Sequence, residues 1–228
     1  MMKRIAVIPA RGGSKRIPRK NIKDFAGKPL IQHTIEKAKA SGIFDEIYVS
    51  TDDGEIKEIS ISAGALVPFL RSNELSGDNV MTVPVISNFI KEINIDNETP
   101  VCCIYPTAPL LIPDNLTSGL DLLYSNLIID YVLGVTKYNY PIQRALIEGE
   151  NGKFTMLNRE NLETRSQDLK QMWHDTGTFY WAFAKTWMGG NSMLFNCAGI
   201  KIPSYLVQDI DDEEDWIRAE QLYKLNFL

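Results

Sequence analysis

Cysteine is scarce in this chain: there are three in 228 residues, two of them adjacent at Cys102 and Cys103. That is too few for a disulfide framework, so the stapled secreted class is excluded and a reducing, cytoplasmic setting is expected. Cys102-Cys103 lies within an apolar run and reads as core. Histidine is scarcer still, with His33 and His174 alone. No Cys/His spacing suits zinc, and no Ser-His-Asp or Cys-His hydrolase is supported. No apolar run approaches the ~20 residues of a membrane span. The first strand begins within a few residues of Met1, so no secretory signal is expected. Positive charge is not in excess: 24 Lys+Arg against 29 Asp+Glu give a net charge of −5, which argues against a general nucleic-acid binder. There is no repeat of 20–50 residues and no low-complexity segment.

What is present suits one soluble α/β domain over residues 1–228. Hydrophobic residues make up 44% and charged residues 23%, ordinary values for a globule large enough to bury a core. Short apolar runs at 5–8, 46–50, 65–70, 101–104 and 131–135 read as strands. Amphipathic or capped stretches between them read as helices: one opening at Pro29-Leu30, then about 55–63, 80–93 and 114–125. Asp52 and Asp53 precede the second helix and are read as its cap. The alternation implies a Rossmann-like, mostly parallel sheet with helices on both faces. The pattern breaks at residues 138–175, too long for a plain connection. This stretch carries a Glu148-Gly149-Glu150-Asn151-Gly152 turn and reads as an inserted excursion with a hairpin. Strands at 177–183 and 198–203 and a last helix to Leu225 complete the chain.

The strongest local signal follows the first strand. Ala10-Arg11-Gly12-Gly13-Ser14-Lys15-Arg16-Ile17-Pro18-Arg19-Lys20-Asn21 puts five cations and two adjacent glycines at the end of a buried strand. Glycine lets backbone N–H groups approach an anion closely, and strand ends in α/β sheets are where ligands sit. A solvated charge run or a nucleic-acid patch is the competing reading. The order of strand, glycines and cations favours a triphosphate cradle, although neither the Walker A nor the Rossmann spacing fits.

The second signal is Asp209-Ile210-Asp211, just before the last helix. In extended chain the two carboxylates face one way and Ile210 the other. Two hard oxygen ligands suit Mg²⁺ completed by phosphate and water. The acids from Asp212 to Asp215 read instead as helix-start residues serving the macrodipole and the free N–H groups.

The loop from Ala10 to Asn21 resembles the N-terminal signature of the CMP-sugar synthetases that activate nonulosonic and related keto-acid sugars. Further stretches are similar to that family: Arg71 with Glu74-Leu75, Asp78 and Thr82; Pro106-Thr107-Ala108-Pro109-Leu110; Arg165-Ser166-Gln167-Asp168-Leu169; Gly177-Thr178-Phe179-Tyr180; and Asp209-x-Asp211. The resemblance implies a nucleotide site made by Ala10, Arg11, Gly12, Gly13, Ser14, Lys15, Asn21, Arg71, Asp78 and Thr82. It implies a sugar pocket with Tyr105, Thr107, Arg165, Gln167, His174 and Tyr180, and a metal pair in Asp209 and Asp211. Lys20, Arg11 and Asp211 are the expected catalytic residues. Tyr105 stands where the sialic-acid enzymes usually carry Gln, and Trp173-His174-Asp175-Thr176-Gly177 replaces their Asn-Gly. With Tyr140-Pro141-Ile142-Gln143-Arg144-Ala145-Leu146, these departures look like the pseudaminic-acid branch.

The implied reaction joins CTP to a nine-carbon keto-acid sugar, giving the CMP-sugar and pyrophosphate, with Mg²⁺ as cofactor. Arg165, always charged and bidentate, suits the sugar carboxylate. The apolar residues of the excursion and the family resemblance both imply a homodimer. Sialic or legionaminic acid as the sugar is the nearest alternative. A nucleotide-binding module without turnover is the alternative of another class.

Overall fold

The computed structural model describes residues 3–126 and 128–228. In chain order the elements are β1 Ile5–Pro9, β2 Asp24–Phe25, β3 Lys28–Pro29, α1 Leu30–Ala40, β4 Glu46–Ser50, α2 Gly54–Ser62, α3 Thr82–Glu92, β5 Pro100–Ile104 and α4 Pro113–Ser125. They continue with β6 Tyr131–Lys137, β7 Leu146–Glu148, β8 Phe154–Met156, β9 Trp173–Phe183, α5 Ala184–Gly189, β10 Cys197–Lys201 and α6 Glu213–Phe227. Six strands form the central sheet in the order β10-β6-β9-β5-β1-β4. All pairings are parallel except the two that β9 makes with β5 and β6.

Strand alternation splits the core between the two faces. Ala6, Ile8, Cys102 and Trp181 pack with Ile31 and Ile35 of α1, Ile56 of α2 and Leu116 of α4. Ile5, Val7, Cys103 and Ala182 face the other way, against Val83 and Phe89 of α3 and Trp187 of α5. Helices therefore cover both faces, and the adjacent cysteines serve opposite ones. Gly119 lets α4 approach β9: a Cβ there would lie 2.8 Å from the Trp181 ring. No helix among the described residues is long and apolar enough to cross a membrane.

The expected strand at 65–70 is not a sheet strand. This segment touches β4 and its following loop only through bridges at Leu66 and Leu70, because Pro68 has no N–H to donate to a ladder. α1 begins at Leu30 as expected, but a short β2–β3 ladder precedes it. β9 begins at Trp173, four residues before the expected start, and α5 was not anticipated. The excursion does carry a hairpin, β7 with β8.

A third, smaller core positions the site. Ile17 of the basic loop, Phe25, Leu30, Ile210 and Trp216 are all buried together. It joins the loop after β1 to the segment before α6, which are nearly 200 positions apart in sequence. Trp216 sits edge-on to Phe25 at 5.4 Å. His33 donates to the Phe25 carbonyl.

Candidate active site

Two adjoining clefts open at the ends of β1, β5 and β9. The first encloses about 520 Å³, and the second about 580 Å³. Tyr105 and Asp211 line both, so the clefts meet there.

The first cleft gathers Arg11, Ser14, Lys15, Arg16, Lys20, Asn21, Arg71, Asp78 and Thr82. Its cations are already paired. Arg11 bonds Asp78 at 2.8 Å and Lys15 also reaches Asp78. Arg16 bonds Asp211 at 2.6 Å, with Lys20 at 3.9 Å from the same carboxylate. Two carboxylates thus hold the places where an anionic ligand would spread these side chains. The Lys20 ammonium also donates to the Ile210 carbonyl. Burial lowers its pKa from the usual 10.5, with Asp211 and Asp209 opposing. Arg71 is buried, donates to Ser76 Oγ at 3.2 Å and stands 3.8 Å from Asp52.

The loop is held differently from its sequence reading. Gly12 N–H does not await a ligand; it donates to Asp52 Oδ1 at 3.0 Å. Only Asp53 caps α2, accepting from Glu55 and Ile56 N–H, so Asp52 pins the loop instead of the helix. A Cβ on Gly12 would fall 2.6 Å from the Asp53 carboxylate. Gly13 has open space around it. Ala10 is buried and donates its N–H to Ser50 O; it anchors the loop without lining the cleft. The Asn21 amide donates to the Arg11 carbonyl at 2.9 Å.

Arg19, one of the five cations, turns away from the cleft. It adopts φ of +56° and grips Asp53 with both guanidinium nitrogens, and Glu55 at 2.6 Å. The Arg19 hydrogen bonds lead in pulling the Asp53 pKa from 3.8 to about 2. The folded state therefore binds fewer protons than the unfolded chain between these values. The Arg19–Asp53 contribution to stability is present above pH 3.8 and is lost as pH falls through about 2. Asp53→Asn should flatten this part of the acid-unfolding profile, as followed by circular dichroism between pH 5 and pH 2. An unchanged profile would remove the pair from the acid response.

The second cleft is lined by Tyr105, Tyr138, His174, Asp175, Tyr180, Gln208, Asp209 and Asp211, among others. Ile210 is fully buried while Asp209 and Asp211 both reach this cleft. Partial desolvation raises the Asp209 carboxyl above the usual 3.8, the Asp211 charge adds to this, and Lys20 opposes it. A hard cation between the two acids would relieve the repulsion. Among the described residues no group of three or more His, Cys, Asp or Glu is gathered for a metal. Two carboxylates fit Mg²⁺ that keeps water and phosphate oxygens, not a closed protein-only site. Asp215 is occupied elsewhere, in a capping box with Asp212.

Of the expected sugar-pocket residues, Tyr105, His174 and Tyr180 line the second cleft, whereas Thr107, Arg165 and Gln167 do not. Thr107 lines the first cleft, not the second. Thr82 Oγ1 bonds the Tyr105 hydroxyl at 2.8 Å, so it acts at the junction. The His174 ring lies 4.6 Å from Tyr138. Arg165 and Gln167 are exposed on the excursion and line neither cleft of their own chain. Asp52, Asp175 and Tyr138 were missed; their side chains reach the site through folding that no spacing rule encodes.

The sequence matches the cytidylyltransferase family over residues 5–138. It is 42% identical to the pseudaminic acid cytidylyltransferase of Campylobacter jejuni subsp. jejuni serotype O:2, over 99% of this chain and 98% of that one. It is 34% identical to N-acylneuraminate cytidylyltransferase B of Danio rerio, covering 96% of this chain and 51% of the relative. Among solved structures, a CMP:2-keto-3-deoxy-manno-octonic acid synthetase complexed with CTP superposes with a TM-score of 0.74 at 17% identity, covering 99% and 100% of the two chains. That likeness shows the shared fold. With the family match spanning more than half its length and a relative aligned from end to end, the chain belongs to the cytidylyltransferase family.

Proposed function

We propose that the protein transfers CMP from CTP to the anomeric hydroxyl of a nine-carbon keto-acid sugar, with pseudaminic acid as the first candidate. The observation that carries this reading is the meeting of a cationic cleft with an acidic, aromatic-walled one at Tyr105 and Asp211. The full-length similarity to a pseudaminic acid cytidylyltransferase supports the choice of sugar. The anomeric hydroxyl gives its proton to water as its oxygen attacks the α-phosphorus; the bond from that phosphorus to the α,β-bridging oxygen breaks, and pyrophosphate leaves with that electron pair. Arg11, Lys15, Arg16 and Lys20 would exchange their carboxylate partners for phosphate oxygens and hold the charge that develops on the leaving group. Arg71, deep in the same cleft, would contact the nucleotide. Asp209 and Asp211 would hold Mg²⁺, which supplies further charge neutralisation when bound.

Incubation with CTP, Mg²⁺ and a panel of keto-acid sugars tests the reading. Pyrophosphate release with pseudaminic acid is expected. Preference for sialic or legionaminic acid would replace the sugar, a reading favoured by the N-acylneuraminate relatives. CTP binding without release on any sugar would leave a nucleotide-binding module.

The excursion bears on assembly. Tyr140, Leu146, Ile147, Phe154, Leu157 and Leu162 are each at least half exposed. So much apolar surface on a two-stranded hairpin does not stand stably in water. A homodimer in which each excursion lies against the other copy would cover it. Light scattering at micromolar concentration should give twice the 25.8 kDa chain mass; a monomer would refute this assembly.

A further inference from the structure

The second cleft contains a carboxylate that neither the triphosphate nor the acid pair accounts for. Asp175 lies on β9 opposite Val135, and Tyr180 lies opposite Leu133. Five residues apart on a regular strand, their side chains would face opposite sides. Here the register with β6 shifts, and on that side residues 176–179 of β9 stand against Gly134 alone. Gly177 takes φ of +60° within this bulge. Gly134 makes room for it, since a Cβ there would come within 2.5 Å of Thr176 Oγ1. The Thr176 and Thr178 hydroxyls bond each other at 2.6 Å. The bulge turns Asp175 and Tyr180 to the same side, and the Tyr180 hydroxyl donates to Asp175 Oδ2 at 2.5 Å. Bulges beside active sites commonly re-aim a side chain in this way.

Tyr180 is a firm support. It is 2% exposed and its ring rests against Tyr105 at 5.3 Å. Burial, then Tyr105 and Asp175, hold its hydroxyl protonated far above neutral pH. An ionised carboxylate can accept about four hydrogen bonds, so one donor leaves Asp175 capacity to spare in the cleft. No trio of acids is gathered for a metal among the described residues, and one Asp175 oxygen is already held by the Tyr180 hydroxyl.

We propose that Asp175 recognises the sugar by accepting a hydrogen bond from one of its O–H or amide N–H groups, and that Tyr180 is the positioning residue that aims it. This rests on the cytidylyl-transfer reading above. It gives the acidic wall of the second cleft a purpose: a polyhydroxylated sugar presents donors, and an acceptor-only group left unpaired in the cleft penalises sugars that lack the matching donor.

Steady-state kinetics of Asp175→Ala, Asp175→Asn and Tyr180→Phe test it, with CTP binding measured separately by calorimetry as a check on folding. Asp175→Ala should raise the sugar KM about tenfold, the size of one charge-assisted hydrogen bond. The CTP KM and calorimetric affinity should stay within about twofold. Asp175→Asn retains an acceptor oxygen and should recover part of the loss. Tyr180→Phe should raise the sugar KM by less than Asp175→Ala and spare kcat. An unchanged sugar KM in Asp175→Ala would overturn the assignment, as would an equal loss for CTP and sugar. If the parent protein releases no pyrophosphate with any keto-acid sugar, the function reading itself falls. Turnover by the parent with indifferent Asp175 variants sinks only this inference.

Discussion

Asp211→Asn should lower kcat by roughly 10²–10³, the usual effect of removing one electrostatic contributor from a preorganised site, and EDTA should do the same to the parent. Among the described residues, Asp211 is the one carboxylate that lines both clefts, and it pairs with two cations of the loop, Arg16 and Lys20. When the triphosphate arrives, those cations have better partners. Asp211 would then be free to hold Mg²⁺ together with Asp209, two hard oxygen ligands of the kind that ion takes. Asparagine keeps the shape and removes the charge, so the fold should survive. The competing view is that the whole acidic run only starts α6. Asp212→Ala separates the two. Asp212 accepts from Glu214 and Asp215 N–H in a capping box, so its loss should cost about 1 kcal/mol of stability and leave kcat near the parent value. If Asp211→Asn and EDTA leave turnover unchanged, the two-carboxylate metal site is wrong and Asp211 serves only to pair the loop.

The parts of this arrangement readable from sequence are those set by local periodicity. β1 shows as an apolar run, Ile210 between two acids shows as an extended segment with one buried side chain, and Asp212 and Asp215 show as a helix start. What escaped was set by contacts across long stretches of chain. Arg19 looked like one more phosphate-facing cation, yet the turn at Arg19 sends it to Asp53 and Glu55. Asp52 and Asp53 are neighbours of the same type, but one caps α2 and the other holds Gly12. Asp175 and Tyr180 would sit on opposite faces by the two-residue period, and the bulge across Gly134 reverses this. The run at 65–70 has a strand's composition, but Pro68 denies it a ladder.

Arg165→Ala should raise the sugar KM roughly ten- to a hundredfold, the loss of a charge-assisted contact of about 1.5–3 kcal/mol, and leave the CTP KM nearly unchanged. The second cleft as one chain builds it carries Asp175, Asp209, Asp211 and Asp215 and has no lysine or arginine among its lining residues. A keto-acid sugar brings a carboxylate, which would be repelled there without a cation. Arg165 is exposed on an excursion whose apolar surface calls for a partner, so it would serve the neighbouring copy's cleft. Lysine should restore only part of the loss, because it lacks the planar fork that grips a carboxylate bidentately. A mixing experiment decides which cleft Arg165 serves. Combine equal amounts of Arg165→Ala and Asp211→Asn chains, allow subunits to exchange, and assay at sugar below its KM. In a two-fold dimer with crossed excursions, half the dimers are mixed and each mixed dimer has one intact site. About a quarter of parental activity should return. If Arg165 serves its own cleft, every site in the mixture lacks one of the two residues and nothing is regained. An Arg165→Ala protein with an unaltered sugar KM would instead leave the acidic cleft without its cation, and the sugar carboxylate would have to be bound elsewhere.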